Sequence, residues 1–293
     1  MTTLATADFS QFGNLDATSY LLSRDFVLQS MLALALLGLL GGILGPIIVA
    51  RQMSFAVHGV SELSITGAAA ALFVGVSVNV GGVIGAVIAA VVFGFLGNRA
   101  RERDSVIGVV MAFGLGLAVL FMSLYGRTGT GFALLTGQVV SVGTGGLTAI
   151  AITAAVVLVG MAIIYRPLLF ASSDPRVAQA AGVPMRTLSM IFAVLMGLAC
   201  AQGVQIIGAL LVMSLMITPG AAAGRLSSNP AVVTGLSIVF AEVAAVGGLV
   251  LSLAPGLPVS VFVTTISFVI YLVCRFGNRA RTRTQRSFQK SAE

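Results

Sequence analysis

Apolar runs of membrane-crossing length occupy most of this 293-residue chain. Roughly six or more stretches of about 18 residues or longer carry almost no charge, and each is long enough to cross a hydrocarbon core of roughly 30 Å as a helix. Because open sheet edges cannot face lipid, the crossing segments must be helical. The pattern predicts an all-α fold, a polytopic transmembrane helix bundle, with the membrane domain at residues 26–275.

The number of crossings depends on residues 188–219, an apolar region of roughly 30 residues that is long for one crossing at about 1.5 Å per residue. Gln202, Gly203 and Gln205 interrupt its middle. If the region forms two segments with a break near Gly203, the bundle has nine crossings and an external N-terminus, and we prefer this count. If it forms one tilted helix, the count is eight.

Basic residues gather at the ends of the apolar runs, although only 9% of the chain is charged and the formal net charge is +7. Short basic loops mark the cytoplasmic side of a membrane protein. We therefore expect residues 166–187 and a basic tail at residues 276–293 to be cytoplasmic, and residues 1–25 to form a polar lead-in without the features of a signal peptide. Because the charges lie at the ends of membrane runs, nucleic acid is not an expected partner.

The sequence contains no phosphate-binding pattern of the GxxxxGK[ST] type, so the chain is not expected to hydrolyse ATP by itself. One histidine and two cysteines exclude a zinc-finger cluster. Cys200 lies inside an apolar run and Cys274 at the end of another, as packing residues do. Transport is therefore the expected class of function. We expect neither enzymatic catalysis nor a permanently bound cofactor.

The main polar exception to the apolar pattern is residues 51–67, RQMSFAVHGVSELSITG, which contain the only histidine, His58, and a glutamate, Glu62. On a helix this four-residue spacing places both side chains on one face, with Cβ atoms about 5–6 Å apart. Imidazole and carboxylate are both ligands for divalent transition metals. A proton relay, a salt bridge with Arg51 and hydrogen bonding between helices are the alternatives. Glu242, in the middle of a later run, is a possible path-lining residue.

Residues 166–187, RPLLFASSDPRVAQAAGVPMRT, form the longest polar interruption between runs. Ser173 or Asp174 can cap a short helix that has Pro175 in its first turn, and Gly182 can close it. A short capped helix flanked by arginines is a suitable element for docking onto another protein. An ordinary loop helix on the membrane surface is the alternative.

Three segments together resemble the membrane permease family of the ABC importers for manganese, zinc and iron. In residues 51–67, Arg51, Met53, Ser61 and Gly67 match the family's pattern. The other two segments are DPRVAQAAGVPMRTL at residues 174–188 and QIIGALLVMSLMITPGAAAGRL at residues 205–226. The resemblance covers roughly residues 26–275.

The resemblance implies a permease subunit in a bacterial plasma membrane that imports a divalent metal and works with a second permease copy as a homodimer. It implies a cytoplasmic ATP-binding subunit and an extracellular metal-binding protein as partners. In such permeases an Asp and a His four residues apart line the metal path, and here His58 and Glu62 occur in the reversed order. The residues that the resemblance assigns to ATPase coupling are Asp174, Pro175, Ala178, Ala181 and Gly182.

Two other functions fit the same residues. One is an importer permease for a metal chelate or a small organic solute, because the substitutions in residues 51–67 leave the cargo open. The other is a secondary transporter in which His58 and Glu62 couple transport to protons. A secondary transporter would need no ATPase partner.

Overall fold

The computed structural model of the protein describes residues 15–96, 100–125 and 142–290. These residues fold into helices, and no strand occurs among them. The helices in chain order are α1 (Leu15–Leu22), α2 (Asp25–Ala50), α3 (Ser54–Val74), α4 (Val78–Leu96), α5 (Ala100–Tyr125), α6 (Thr144–Ser173), α7 (Pro175–Ala180), α8 (Met185–Ile207), α9 (Ala209–Ala223), α10 (Pro230–Leu253) and α11 (Val259–Lys290).

Eight of the described helices are long and apolar enough to cross a membrane, and α9 adds a shorter apolar segment, Leu211–Ala223. The predicted all-α, polytopic bundle is therefore confirmed. Of the predicted lead-in at residues 1–25, residues 1–14 lie outside the described part of the chain, and α1 occupies Leu15–Leu22. Helix α11 runs on from the last apolar run into the basic tail as far as Lys290.

The apolar region at residues 188–219 does form two helices, but the break is at Gly208 and not near Gly203. Gly208 has φ of 88°, a left-handed conformation that glycine adopts at little steric cost. Gly203 stays inside α8, where its neighbours Gln202 and Gln205 both donate to the side-chain oxygen of Asn79 at 3.3 Å. The two glutamines therefore join α8 to α4 and do not interrupt α8.

Glycine residues allow the helices around residues 51–67 to approach closely. A Cβ atom added to Gly67 of α3 would lie 2.2 Å from the carbonyl oxygen of Gly81 and 2.8 Å from Cα of Gly85, both on α4. A Cβ atom on Gly220 of α9 would lie 2.4 Å from the carbonyl carbon of Gly45 on α2. Such small-residue contacts bring membrane helices together in place of a hydrophobic driving force.

The α3–α4 contact predicts a clear stability difference between two glycine substitutions. Gly67→Ala forces backbone atoms apart and is expected to cost about 1–3 kcal/mol or more, seen as a lower melting temperature of the purified protein in detergent. Gly108→Ala on α5 is the matched control, because a Cβ atom there meets nothing within 4 Å. Equal melting temperatures for the two variants would contradict this packing.

One end of the bundle collects several arginines. Arg51, after α2, hydrogen-bonds Ser189 near the start of α8. The hydroxyls of Tyr165 on α6 and Thr234 on α10 lie 3.0 Å apart, and Leu226 and Cys274 line one groove. We call this the arginine-bearing end, which is defined by the neighbouring basic residues Arg51, Arg166, Arg186, Arg225 and Arg275.

Candidate functional site

His58 and Glu62 lie in the first half of α3, close to the arginine-bearing end. Helix α3 begins at Ser54, after a tight turn from α2 in which Gln52 takes a left-handed conformation with φ of 54°. The backbone N–H of Met53 donates to the carbonyl oxygen of Ile48 at 2.9 Å and holds this turn. At about 1.5 Å per residue, His58 lies roughly 6 Å and Glu62 roughly 12 Å from the start of α3 along the helix axis.

The two side chains form a pair on one face of α3, in a largely buried position. Glu62 is only 6% exposed, His58 is half-buried, and the four-residue spacing places the two side chains one turn apart on the same face of α3. Atom Nδ1 of His58 is buried and has no hydrogen-bond partner among the described residues, although the ring of Phe55 lies 6.4 Å away between centroids. Buried polar atoms normally have a partner, so this nitrogen keeps a hydrogen-bonding or metal-ligating capacity that no described residue uses.

Nearby hydroxyl groups on α3 donate to carbonyl oxygens. Ser61 donates to the carbonyl oxygen of Val57 at 2.8 Å, and Thr66 donates to that of Gly114 on α5 at 2.9 Å. A hydroxyl has a single proton to donate. The Ser61 hydroxyl therefore bonds within α3 and the Thr66 hydroxyl joins α3 to α5. Neither of these hydrogen bonds uses the Glu62 carboxylate, which can bind a cation.

The pair is a two-ligand arrangement within one chain. Among the described residues, no group of three or more His, Cys, Asp or Glu side chains is placed to hold a metal ion. One imidazole and one carboxylate can bind a divalent transition metal but leave most of its coordination sphere to water or to other donors. Such incomplete coordination suits a passing ion, because conduction needs binding weak enough for release.

Glu242 lies apart from this pair, in the middle of α10. A Cβ atom added to Gly38 of α2 would lie 3.2 Å from Oε1 of Glu242, so the carboxylate packs over a glycine at the α2–α10 contact. Glu242 is half-buried. The structure therefore brings together His58 and Glu62 but places Glu242 between a different pair of helices.

The predicted short capped helix forms as α7, Pro175–Ala180. The side-chain oxygen of Asp174 accepts hydrogen bonds from the backbone N–H groups of Arg176 and Val177, both at 3.1 Å. Gly182 ends the segment with φ of 82°. Of the residues assigned to coupling, Ala178 is buried at 0% exposure. Those left exposed at the arginine-bearing end are Asp174, Pro175, Ala181 and Gly182.

The sequence interpretation missed a polar cluster at the opposite end of the bundle. Asn79, near the start of α4, accepts hydrogen bonds from Gln202 and Gln205 of α8, and Ser64 of α3 donates to the carbonyl oxygen of Gly82 at 3.1 Å. The signal in the sequence was the three-residue spacing of the two glutamines, which places them on one helix face. The cluster joins α3, α4 and α8 next to the break at Gly208.

The model of the ABC 3 transport family matches residues 23–278. The manganese transport system membrane protein MntC of Halalkalibacterium halodurans is 31% identical over 236 residues, which cover 79% of this chain and 80% of the relative. The high-affinity zinc uptake system membrane protein ZnuB of Haemophilus influenzae is 26% identical over 230 residues, which cover 78% of this chain and 88% of the relative. The solved structure of PsaBC from Streptococcus pneumoniae in complex with Fab has a similar fold, with a TM-score of 0.79 and 22% identity. The match covers 89% of this chain and 95% of the chain in that structure.

Proposed function

Because the chain belongs to the ABC 3 transport family, we propose that it is the membrane permease subunit of an ATP-driven importer of a divalent transition metal. The observation that carries this proposal is the His58–Glu62 pair on α3, with the unpartnered Nδ1 of His58. Relatives named for manganese and zinc transport support the cargo class. The two ligand types accept manganese, zinc or iron, and the manganese names among the relatives favour manganese.

The positive-inside rule supports a cytoplasmic location for the arginine-bearing end. The segment 166–187 and the tail at residues 276–293 would then face the cytoplasm of a bacterium, and the polar cluster around Asn79 would lie toward the outside. Metal would enter past that cluster and reach His58 and Glu62 in the cytoplasmic half of α3. The permease domain spans residues 26–275.

The proposed partners follow from what the chain contains and lacks. Its sequence has no GxxxxGK[ST] pattern, so a separate cytoplasmic ATP-binding subunit would supply the hydrolysis. That subunit would engage α7 and the residue that follows it. This segment is anchored by Ala178 and exposed at Pro175 and Ala181. An extracellular binding protein would deliver the metal. A second permease copy would supply further ligands beside the two of this chain.

Reconstituted transport tests the function directly. In proteoliposomes containing this chain, its ATPase subunit and its binding protein, we expect uptake of ⁵⁴Mn²⁺ that requires ATP and stops when the ATPase subunit is left out. Uptake by this chain alone, without ATP and driven by a pH gradient, would instead identify a proton-coupled secondary transporter. Uptake of a metal chelate or an organic solute, with no uptake of free Mn²⁺ or Zn²⁺, would support the alternative cargo.

A further inference from the structure

A groove opens between the end of α4 and the start of α8. Its volume is about 380 Å³. Phe95 is 67% exposed and Ile191 is 40% exposed, so the apolar wall of the groove is open to the surroundings of the bundle. The six residues that line it are Gly94, Phe95, Arg186, Thr187, Met190 and Ile191.

The groove changes from polar to apolar along its length. Arg186 and Thr187 lie in the first turn of α8, where the apolar span Met185–Ile207 begins, and Met190 and Ile191 lie one turn deeper. Gly94 and Phe95 end the facing span, Val78–Phe95. In a bilayer crossed by these two helices, the polar end of the groove would lie at headgroup level and the apolar end in the hydrocarbon region.

Arg186 lacks a counter-charge within the described part of the protein. Its side chain is exposed, and no hydrogen bond or ion pair joins its guanidinium group to another described residue. A guanidinium group binds phosphate through a fork of N–H donors. A cation at the rim of an apolar groove at this depth is complementary to a phosphate group that carries acyl chains.

The floor of the groove is open because Gly94 has no side chain. A Cβ atom added there would meet Cα of Met190 at 3.6 Å and Cβ of Ala193 at 3.7 Å, which are ordinary van der Waals distances. An alanine would therefore fit without moving α8. A leucine at the same position would occupy the groove itself.

We propose that this groove binds an anionic phospholipid of the leaflet at the arginine-bearing end, with the lipid phosphate on Arg186 and an acyl chain along Phe95, Met190 and Ile191. A bilayer lipid is the favoured occupant because the groove lies on two membrane-crossing helices and has the same polar-to-apolar order as a phospholipid. The site is separate from His58 and Glu62. Its test does not depend on the transported metal.

The absence of tryptophan from the chain allows a sharp experiment. Phe95→Trp places the only tryptophan of the protein in the groove, where brominated acyl chains can quench its fluorescence. The full chain is reconstituted in phosphatidylcholine vesicles in which a fixed minor fraction of lipid is either dibrominated phosphatidylglycerol or dibrominated phosphatidylcholine. We expect the phosphatidylglycerol to be enriched beside the introduced tryptophan by about fivefold, the preference that one arginine near an anionic surface provides.

Three further variants decide the outcome. Phe95→Trp combined with Arg186→Gln, or with Gly94→Leu, should lose the preference for phosphatidylglycerol. Phe113→Trp, on the exposed face of α5, is the matched control and should be quenched equally by both lipids. Equal quenching of the Phe95→Trp variant by the two lipids, or a preference that survives Arg186→Gln, overturns the proposal. Quenching of that variant by neither lipid overturns it as well, because protein would then cover the groove.

Discussion

Replacement of His58 by Ala is expected to lower ATP-driven Mn²⁺ uptake by about 100-fold or more, because even residues that only support a metal ligand cost about 10- to 100-fold when changed. His58 supplies the imidazole of the pair, and its buried Nδ1 has no partner among the described residues. The measurement is the initial rate of ⁵⁴Mn²⁺ uptake in proteoliposomes that contain the permease, its ATPase and its binding protein.

The matching change at the second ligand is Glu62→Gln, which removes the charge and keeps the shape of the side chain. If the pair binds one ion, both single variants should lose most of the uptake. The double variant should then be little worse than either, because residues that act as one unit are strongly non-additive. Separate roles for the two residues would instead make their effects multiply.

Two controls separate a lost metal path from a damaged protein. The melting temperature and the amount of ATPase that co-purifies should be the same for His58→Ala and for the unchanged chain. Glu242→Gln provides a second comparison, since Glu242 packs over Gly38 and not beside α3. Uptake that is unchanged in both His58→Ala and Glu62→Gln would contradict the metal-path role. A loss in Glu242→Gln as large as that in His58→Ala would extend the path to the α2–α10 contact.

The fold was predictable because hydrocarbon imposes a simple constraint on the sequence. Apolar runs of about 18 residues or more leave little choice but crossing helices. The runs locate these helices, although α6 and α11 continue past the ends of their runs to Ser173 and Lys290. Asp174 and Pro175 also predicted the short helix α7, since a capping side chain followed by proline is a local signal for the start of a helix. Such features depend on neighbouring residues only.

The errors arose where distant residues decide the structure. Gln202 and Gln205 look like an interruption when α8 is considered alone, but Asn79, more than 100 residues earlier, accepts their hydrogen bonds. The spacing of His58 and Glu62 predicted a shared face, but not the burial of Glu62 or the unpartnered nitrogen of His58, which depend on the helices packed around α3. The location of Glu242 over Gly38 depends on the α2–α10 contact in the same way.

Deletion of residues 174–182 is expected to abolish ATP-driven uptake while leaving the His58–Glu62 pair in place, because α7 is the proposed contact with the ATPase. Asp174→Ala is a milder form of this test. It removes the acceptor of two backbone hydrogen bonds, and loss of such a cap costs about 1 kcal/mol. Helix α7 has only 6 residues, so it has few internal hydrogen bonds to offset that loss. We expect several-fold less ATPase to co-purify with the variant.

Asn229→Ala is the matched control, since Asn229 caps α10 near the same end through one hydrogen bond from the N–H of Ala231 at 3.1 Å. The free-energy cost of losing this cap is similar, but α10 has 24 residues and stays helical through its packing. The Asn229→Ala variant should therefore co-purify with as much ATPase as the unchanged chain does. If both cap variants lose ATPase equally, general destabilisation is the cause. If the deletion variant still takes up metal at the normal ATP-driven rate, α7 is not the coupling element, and the ATPase must contact another part of the arginine-bearing end.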